Sequence, residues 1–310
     1  MSENKSFIPL VVVVGPTAVG KTDLSIRLAE RLGAEIVSID SRLFYRGMDI
    51  GTAKPTKEER LRVPHHLIDV ANPDEPWSLA LFQTTVTEII EEIHARGKLP
   101  ILVGGTGQYV RAVVEAWEVP PQSPDDRLRL VLEQWGKDIG ARQLYERLSI
   151  IDSDAASHIE PNNLRRTVRA LEVIFLTGRK FSELRKKGET PYDVLIIGLR
   201  RPREEIYHRV DRRIEKMIQD GLLDEVKSLL DRGYSSDLST FSAIGYREMI
   251  SVLKGEMDMD QAVTRMKSLT HQFVRRQANW FKESDPGIHW FDISQTNDDE
   301  IELLVRDTFV

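Results

Sequence analysis

Eight residues near the start of the chain, Gly15-Pro16-Thr17-Ala18-Val19-Gly20-Lys21-Thr22, restrict its fold more than any other feature. They follow the apolar run Leu10-Val11-Val12-Val13-Val14 and open a stretch with leucines at helical spacing, Leu24, Leu28 and Leu32. A buried strand, a glycine turn and a helix N-terminus, in that order, give the motif G-x-x-x-x-G-K-T its phosphate-binding meaning. Loop N–H groups and the helix dipole favour a di- or triphosphate at that point. Lys21 is placed to neutralise the anion, and the Thr22 hydroxyl to bind a magnesium ion, Mg2+. The motif leaves open what becomes of the phosphate.

The 310 residues suggest two domains, or one core carrying an insertion. A hydrophobic share of 41% is enough for a sizeable core and argues against a disordered chain. The absence of cysteine excludes disulfides and thiolate–metal sites and does not suit a secreted protein. Of the 7 histidines only His65 and His66 are neighbours, so a histidine-based structural metal site is not expected. No apolar stretch approaches membrane-spanning length, and Met1-Ser2-Glu3-Asn4-Lys5 lacks a signal-peptide pattern. A cytoplasmic protein without a membrane partner is expected, acting as a monomer.

A net charge of -6 argues at first against a nucleic-acid partner, but the average hides an asymmetry. Residues 162–188 hold Arg165, Arg166, Arg169, Arg179, Lys180, Arg185, Lys186 and Lys187 against Glu172 and Glu183. Residues 261–282 hold Arg265, Lys267, Arg275, Arg276 and Lys282 with no acidic residue. Acidic residues such as Asp298, Asp299, Glu300 and Glu302 supply the compensating charge. Local patches rather than net charge decide binding to a phosphate backbone. Two solvated helix faces would give the same pattern.

Strand and helix alternate over the first hundred residues. The pattern predicts a helix over 21–32 stopped by Gly33, a strand over 35–39 ending at Asp40, a helix from 76 to 96, and a strand over 99–103 ending in Gly104-Gly105-Thr106-Gly107. Such alternation implies a parallel sheet with ligands at the carboxyl ends of its strands. Asp40, Thr106 and the phosphate loop all lie at such ends. The character changes at Val119-Pro120-Pro121-Gln122-Ser123-Pro124. Helical patterns follow over 128–135, 141–148, 154–159 and 164–176, then a strand over 193–199, helices over 203–220, 222–232 and 260–282, and a strand over 288–291. The fold class expected is α/β, a P-loop NTPase-like parallel-sheet core (1–119 and 190–310) with an all-helical insertion (120–189).

A small-molecule kinase needs a second strand-end acid to organise magnesium, and the natural place for it, after Val103, carries glycines and a threonine. Asp40 could serve instead. Its other readings are a turn cap, or a general base facing whatever sits above the phosphates. The segment from Ser41 to Pro55, rich in aromatic residues and arginine, favours recognition over a plain connector. Arg209, Arg213 and Lys216 share one helix face at four- and three-residue spacing, which fits either phosphate binding or a solvated face.

Together these residues carry a specific resemblance. The run from Asp40-Ser41 through Tyr45-Arg46-Gly47-Met48-Asp49-Ile50-Gly51-Thr52-Ala53-Lys54-Pro55 is similar to the signature of the tRNA dimethylallyltransferases (tRNA isopentenyltransferases). So are Val63-Pro64-His65-His66-Leu67-Ile68-Asp69, Gly104-Gly105-Thr106-Gly107-Gln108-Tyr109 and the segment 162–172. Further matches are Gly221-Leu222 with Glu225-Val226, Ile244-Gly245-Tyr246-Arg247, and Arg275-Arg276-Gln277 with Trp280-Phe281. The resemblance spans residues 10–290.

It implies transfer of the dimethylallyl group of dimethylallyl diphosphate to the exocyclic N6 amine of the adenosine 3′ to the anticodon of tRNA, releasing diphosphate. The loop then holds a leaving group and no phosphorus is attacked, so a missing second carboxylate matters less. Lys21, the loop amides and Mg2+ on Thr22 would stabilise charge on the departing diphosphate. The adenine amine is a poor nucleophile, and the resemblance assigns Asp40 as its base, Thr106 near the reacting groups and Arg213 on the diphosphate.

The acceptor base must leave its stack, while phosphate contacts position the anticodon stem-loop. Arg129, Leu164, Arg165, Arg166, Thr167, Val168 and Arg169 are the tRNA contacts implied in the insertion. Ser41, Arg42, Leu43, Gly245, Tyr246, Arg247, Arg275, Arg276 and Gln277 are those implied in the core. Core packing is an alternative for Tyr246 and Trp280. Val19 stands where a serine is usual, Leu43-Phe44 replaces a common pair, and His271 replaces a frequent arginine.

Overall fold

The computed structural model describes residues 7–75, 77–117, 119, 125–185 and 188–309. Pro76, the run 120–124 and the basic residues Lys186 and Lys187 lie outside the described residues. The chain divides into two compact units: residues up to Trp77, Thr84–Val110 and Pro191 onward form one, Ser78–Gln83 with Arg111–Thr190 the other. The second unit thus takes in residues before 120, where the sequence pattern first changes character.

The first unit is built on a parallel sheet of β1 (Ile8–Val14), β2 (Glu35–Ser38), β3 (His65–His66), β4 (Pro100–Val103), β5 (Tyr192–Arg200) and β6 (Ile288–Asp292), ordered β3-β2-β4-β1-β5-β6. Central β1 pairs Val11 with Ile101 and Val13 with Val103 on one side, and Ile8 with Tyr192 through Val14 with Gly198 on the other. Covered on both faces, it reads as a continuous apolar run, and Val11, Val12 and Val13 have no exposed surface.

In chain order the helices are α1 (Lys21–Leu32), α2 (Lys57–Arg62), α3 (Leu79–Ala95), α4 (Gly107–Val114), α5 (Asp126–Ile139), α6 (Ala141–Ile151), α7 (Ser153–Ser157), α8 (Leu164–Thr177), α9 (Arg203–Gln219), α10 (Leu222–Asp231), α11 (Tyr246–Leu253), α12 (Met259–Gln277) and α13 (Asp298–Phe309). Leu24, Ile26 and Leu28 of α1 pack with Val11, Val13 and Ile101 into the main core, which Ile301 and Val305 of α13 complete. α9, α10, α11 and α12 pack against one another in succession.

Two departures from the sequence pattern have clear causes. The helix expected to reach 282 ends at Gln277, whose side chain turns into the core to hold a loop. The acidic run at 298–302 is not merely balancing charge but the start of a helix. Asp298, Asp299 and Glu300 occupy its first turn, where the dipole favours them. Asp298 binds Arg27, and Asp299 and Glu302 bind Arg31 at 2.6 and 3.0 Å, fastening α13 along α1.

In the second unit Leu132, Leu144, Leu148, Ala156, Ile159, Val168, Leu171 and Ile174 form a separate core between α5, α6, α7 and α8. Glu172 is fully buried beside it. It accepts from Arg129 (2.9 Å), Arg169 (2.9 Å) and the Asp125 amide (3.1 Å), which is how its charge is tolerated.

Candidate active site

The phosphate loop joins β1 to α1. Gly15 has φ +145°, and a Cβ there would lie 2.6 Å from the Leu199 carbonyl oxygen, so glycine is required on both counts. The Val19 side chain is buried in the main core, which explains why a bulky residue is accepted where the motif needs only its backbone. Gly20 precedes α1 without a side-chain cap, leaving the helix N-terminus to an anion.

Three arginines and a glutamine set the loop's shape. Arg209 Nε donates to the Ala18 carbonyl at 2.7 Å, Arg201 Nε to the Val19 carbonyl at 2.9 Å, and Arg213 Nη1 to Thr17 Oγ1 at 3.4 Å. Gln277 Oε1 accepts the Thr17 amide at 2.8 Å, and its Nε2 donates to the Gly105 carbonyl at 3.2 Å. Lys21 Nζ donates to the carbonyls of Gly15 and Pro16 at 3.0 and 2.9 Å. Burial pulls the Lys21 ammonium down to about 8, with Asp40 opposing and Arg213 adding to the shift. Burial, then Arg209, lowers Arg213 as well. A cationic site short of anions is the electrostatic signature here.

The loop opens on a cavity of about 130 Å³ whose lining includes Thr17, Lys21, Thr22, Asp40, Leu43 and Arg213. Asp40 follows β2, and its Oδ1 accepts the Arg42 amide at 3.0 Å. Thr52, Ala53 and Pro55 supply another wall. Beside it lies a groove of about 710 Å³ bearing Lys57, Arg60, Arg209, Arg212, Arg213 and Lys216. Thr106 lies outside the lining, half-buried at the head of α4, where its carbonyl accepts from Tyr109 and Val110. A magnesium ion fits the donor set: Thr22, which carries a hydroxyl, lines the cavity, and this ion ordinarily takes few protein ligands, filling its shell with phosphate oxygens and water. No cluster of acidic or histidine ligands competes for it among the described residues.

The residues implied as tRNA contacts divide. Arg165, Arg166, Arg247, Arg275 and Arg276 are exposed, and Ser41, Arg42, Leu43 and Leu164 half-buried. Arg42 reaches the Thr240 carbonyl at 3.0 Å, and Arg275 the Tyr207 hydroxyl at 3.1 Å. Four side chains are placed inside: Thr167 and Val168 sit in the second unit's interior, Tyr246 is wholly buried, and Gln277 is buried with its Oε1 on the phosphate loop. Gly245 is buried too, its amide on Glu248 at 2.8 Å. Arg129 and Arg169 are both held on Glu172, so their first role is internal pairing. Trp280 is a packing residue, its ring lying where a Gly107 Cβ would be, 2.3 Å away. His271 pairs with Asp211 at 2.9 Å and stacks on Tyr207.

The loop role of Gln277 has no sequence signal, since its partners are 172 and 260 positions away. Arg201 is likewise undetectable, whereas the shared face of Arg209 and Arg213 fitted phosphate binding and a solvated face equally, and only the family resemblance put Arg213 on the diphosphate.

Comparison with known proteins agrees with this geometry. The family model described as IPP transferase matches residues 43–284, and one described as isopentenyl transferase matches residues 8–68. A tRNA dimethylallyltransferase of Roseiflexus sp. (strain RS-1) is 53% identical over 275 residues, covering 89% of this chain and 90% of the relative. One from Thermomicrobium roseum is 46% identical over 93% of this chain and 87% of the relative. Among solved structures, the tRNA isopentenylpyrophosphate transferase of Bacillus halodurans aligns with a TM-score of 0.71 and 43% identity, covering 97% of this chain and 95% of that one. A eukaryotic dimethylallyltransferase acting on tRNA aligns at 0.82 with 29% identity, over 97% of this chain and 79% of that one. With a family model matching residues 43–284 and a relative 53% identical over 89% of its length, this chain belongs to the IPP transferase family.

Proposed function

We propose that the protein is a tRNA dimethylallyltransferase, moving the dimethylallyl group of dimethylallyl diphosphate to the N6 amine of the adenosine 3′ to the anticodon. The observation that carries this is Asp40 on one cavity with Lys21, Thr22 and Arg213, while β4 ends at Val103 and is followed by glycines rather than by a second acid. The relatives' names support it, and a kinase is not favoured.

The chemistry follows from that arrangement. The N6 lone pair forms a bond to C1 of the prenyl group as the C1–O bond breaks, and its electron pair leaves with diphosphate. Lys21, Arg213, the loop amides and the α1 dipole stabilise the charge that collects there. Asp40 takes the N6 proton. Magnesium, held by Thr22 when bound, supplies further neutralisation of the diphosphate.

In the helical unit, exposed Arg165 and Arg166 are the phosphate contacts for the anticodon stem-loop, joined in the core by Arg247, Arg275 and Arg276. Thr106 lies near the reacting groups, and Ser41, Arg42 and Leu43 stand next to the flipped base. The enzyme works as a monomer in the cytoplasm; no helix among the described residues is long and apolar enough to cross a membrane.

The test is purified protein with labelled dimethylallyl diphosphate and unmodified tRNA, followed by nucleoside analysis. Labelled N6-dimethylallyladenosine with one diphosphate released per transfer is expected. Absence of transfer together with ATP turnover of order 1 s⁻¹, typical of kinases, would replace this function with a phosphoryl transfer.

A further inference from the structure

The cavity wall formed by Thr52, Ala53 and Pro55 is not held by the phosphate loop. Three successive amides just before it, those of Asp49, Ile50 and Gly51, point at one carboxylate on α10. Glu225 Oε2 accepts from Asp49 and Ile50 at 2.9 and 2.8 Å, and Oε1 accepts from Gly51 at 3.2 Å. The Tyr246 hydroxyl donates to the same Oε1 at 2.6 Å. A carboxylate has about four acceptor sites, so this one is saturated by donors. Without it, three converging amides would be left without a partner, an expensive arrangement.

The rest of the segment is equally constrained. Gly51 leaves no room for a side chain, since a Cβ would lie 2.5 Å from the Tyr246 ring. Ala53 has φ +51°, a left-handed conformation that a non-glycine residue keeps only when its surroundings impose it. Lys54 is buried and donates to the Tyr45 carbonyl, to Asp49 at 2.5 Å and to Asp69 at 2.7 Å, and Asp69 is also held by Arg60. A short segment is clamped from both sides, with strain kept at the residue facing the diphosphate cavity.

We propose that Glu225 is a positioning residue for the prenyl diphosphate, fixing through the 49–51 amides the wall that Thr52 and Ala53 present to the cavity. The inference rests on the transferase function above for its substrate. Glu225 lies outside the cavity lining and acts only through the loop.

The test combines steady-state kinetics with hydrogen exchange of the Asp49, Ile50 and Gly51 amides, with and without inorganic diphosphate. In Glu225→Gln the amide NH2 faces N–H donors, so at least one of the four contacts is lost. We expect a rise of roughly tenfold in KM for dimethylallyl diphosphate, with kcat within about threefold and KM for tRNA unchanged. The three amides should exchange faster, and diphosphate should restore part of their protection. A folded variant with unchanged donor KM overturns the proposal, as does a raised KM without faster exchange at these amides. Loss of activity only in proportion to lost folded protein also overturns it, leaving Glu225 a stabilising residue. If Glu225→Gln does not fold, Tyr246→Phe removes one of the four donors and should move the donor KM and the exchange in the same direction, by about threefold; no movement overturns the proposal. Wild-type protein that binds diphosphate and protects the loop but transfers nothing would instead refute the transferase function.

Discussion

Gln277 Oε1 accepts the amide of Thr17 at 2.8 Å, so the last residue of α12 fixes the phosphate loop of β1. The same side chain ties that loop to the Gly105 carbonyl beyond β4. Gln277→Ala should therefore loosen diphosphate binding and lower stability by about 1–3 kcal/mol, the range for buried partners left unpaired. Calorimetric titration with inorganic diphosphate and thermal melting check the two effects. Gln277→Glu should be worse for the Gly105 contact, because it replaces a donor facing a carbonyl with an acceptor.

Asp40→Asn keeps an oxygen for the Arg42 amide but cannot take a proton from the adenine amine. Turnover should fall roughly 10²- to 10⁴-fold, the usual worth of a positioned base. Diphosphate affinity should change little. Single-turnover rates at saturating substrate decide the matter: near-normal transfer by a folded variant would remove Asp40 as the base.

Arginines of the helical unit fall into two groups with opposite phenotypes. Replacing exposed Arg165 and Arg166 by alanine should weaken tRNA binding and reduce the slope of log K against log salt by about 0.7–0.9 per lost phosphate contact, leaving the melting temperature unchanged. Arg129→Ala should instead destabilise the unit by about 1–3 kcal/mol, because it removes a partner from buried Glu172. Salt titrations of tRNA affinity beside thermal melts separate the groups.

Lys21 gives the donor site a pH dependence. Its ammonium, held down to about 8 by burial, must be charged to attract diphosphate. Affinity for dimethylallyl diphosphate should thus fall as pH rises above 8, by up to about tenfold per unit until the bound-state value is passed. Lys21→Arg should abolish that fall between pH 8 and 9.5. Stability runs the other way. The unfolded chain holds this proton more tightly, so the contribution of Lys21 to stability is lowest below 8 and improves as pH climbs toward 10.5.

The phosphate loop and most of the strands were legible in the sequence because each is marked by residues only a few positions apart, and strand–helix alternation implied that the strands run parallel. A valine run followed by glycines and lysine describes its own local structure. The fate of the arginines was not legible. Nothing near Arg129 reveals that Glu172, 43 positions on, is buried against it, and helical spacing alone cannot distinguish exposed Arg166 from buried Thr167. Short elements such as α2, α11 and β3 also escaped, since fewer than three helical turns leave little periodicity. The acidic stretch at 298 could be read as charge only until Arg27 and Arg31 were seen beside it.

The position of β1 between β4 and β5 has a consequence for the order of events during synthesis. The phosphate loop leaves the ribosome early, yet the strand on one side of it begins about 180 residues later, at Tyr192, which at roughly 5–20 residues per second is a delay of about 10–35 s. Until then Gly15 has no Leu199 backbone beside it, and Arg201, Arg209, Arg213 and Gln277 have not been made. The nascent chain therefore carries β1 with one edge unpaired until the strand beginning at Tyr192 is made, and the arginines and glutamine that set the loop's shape arrive later still.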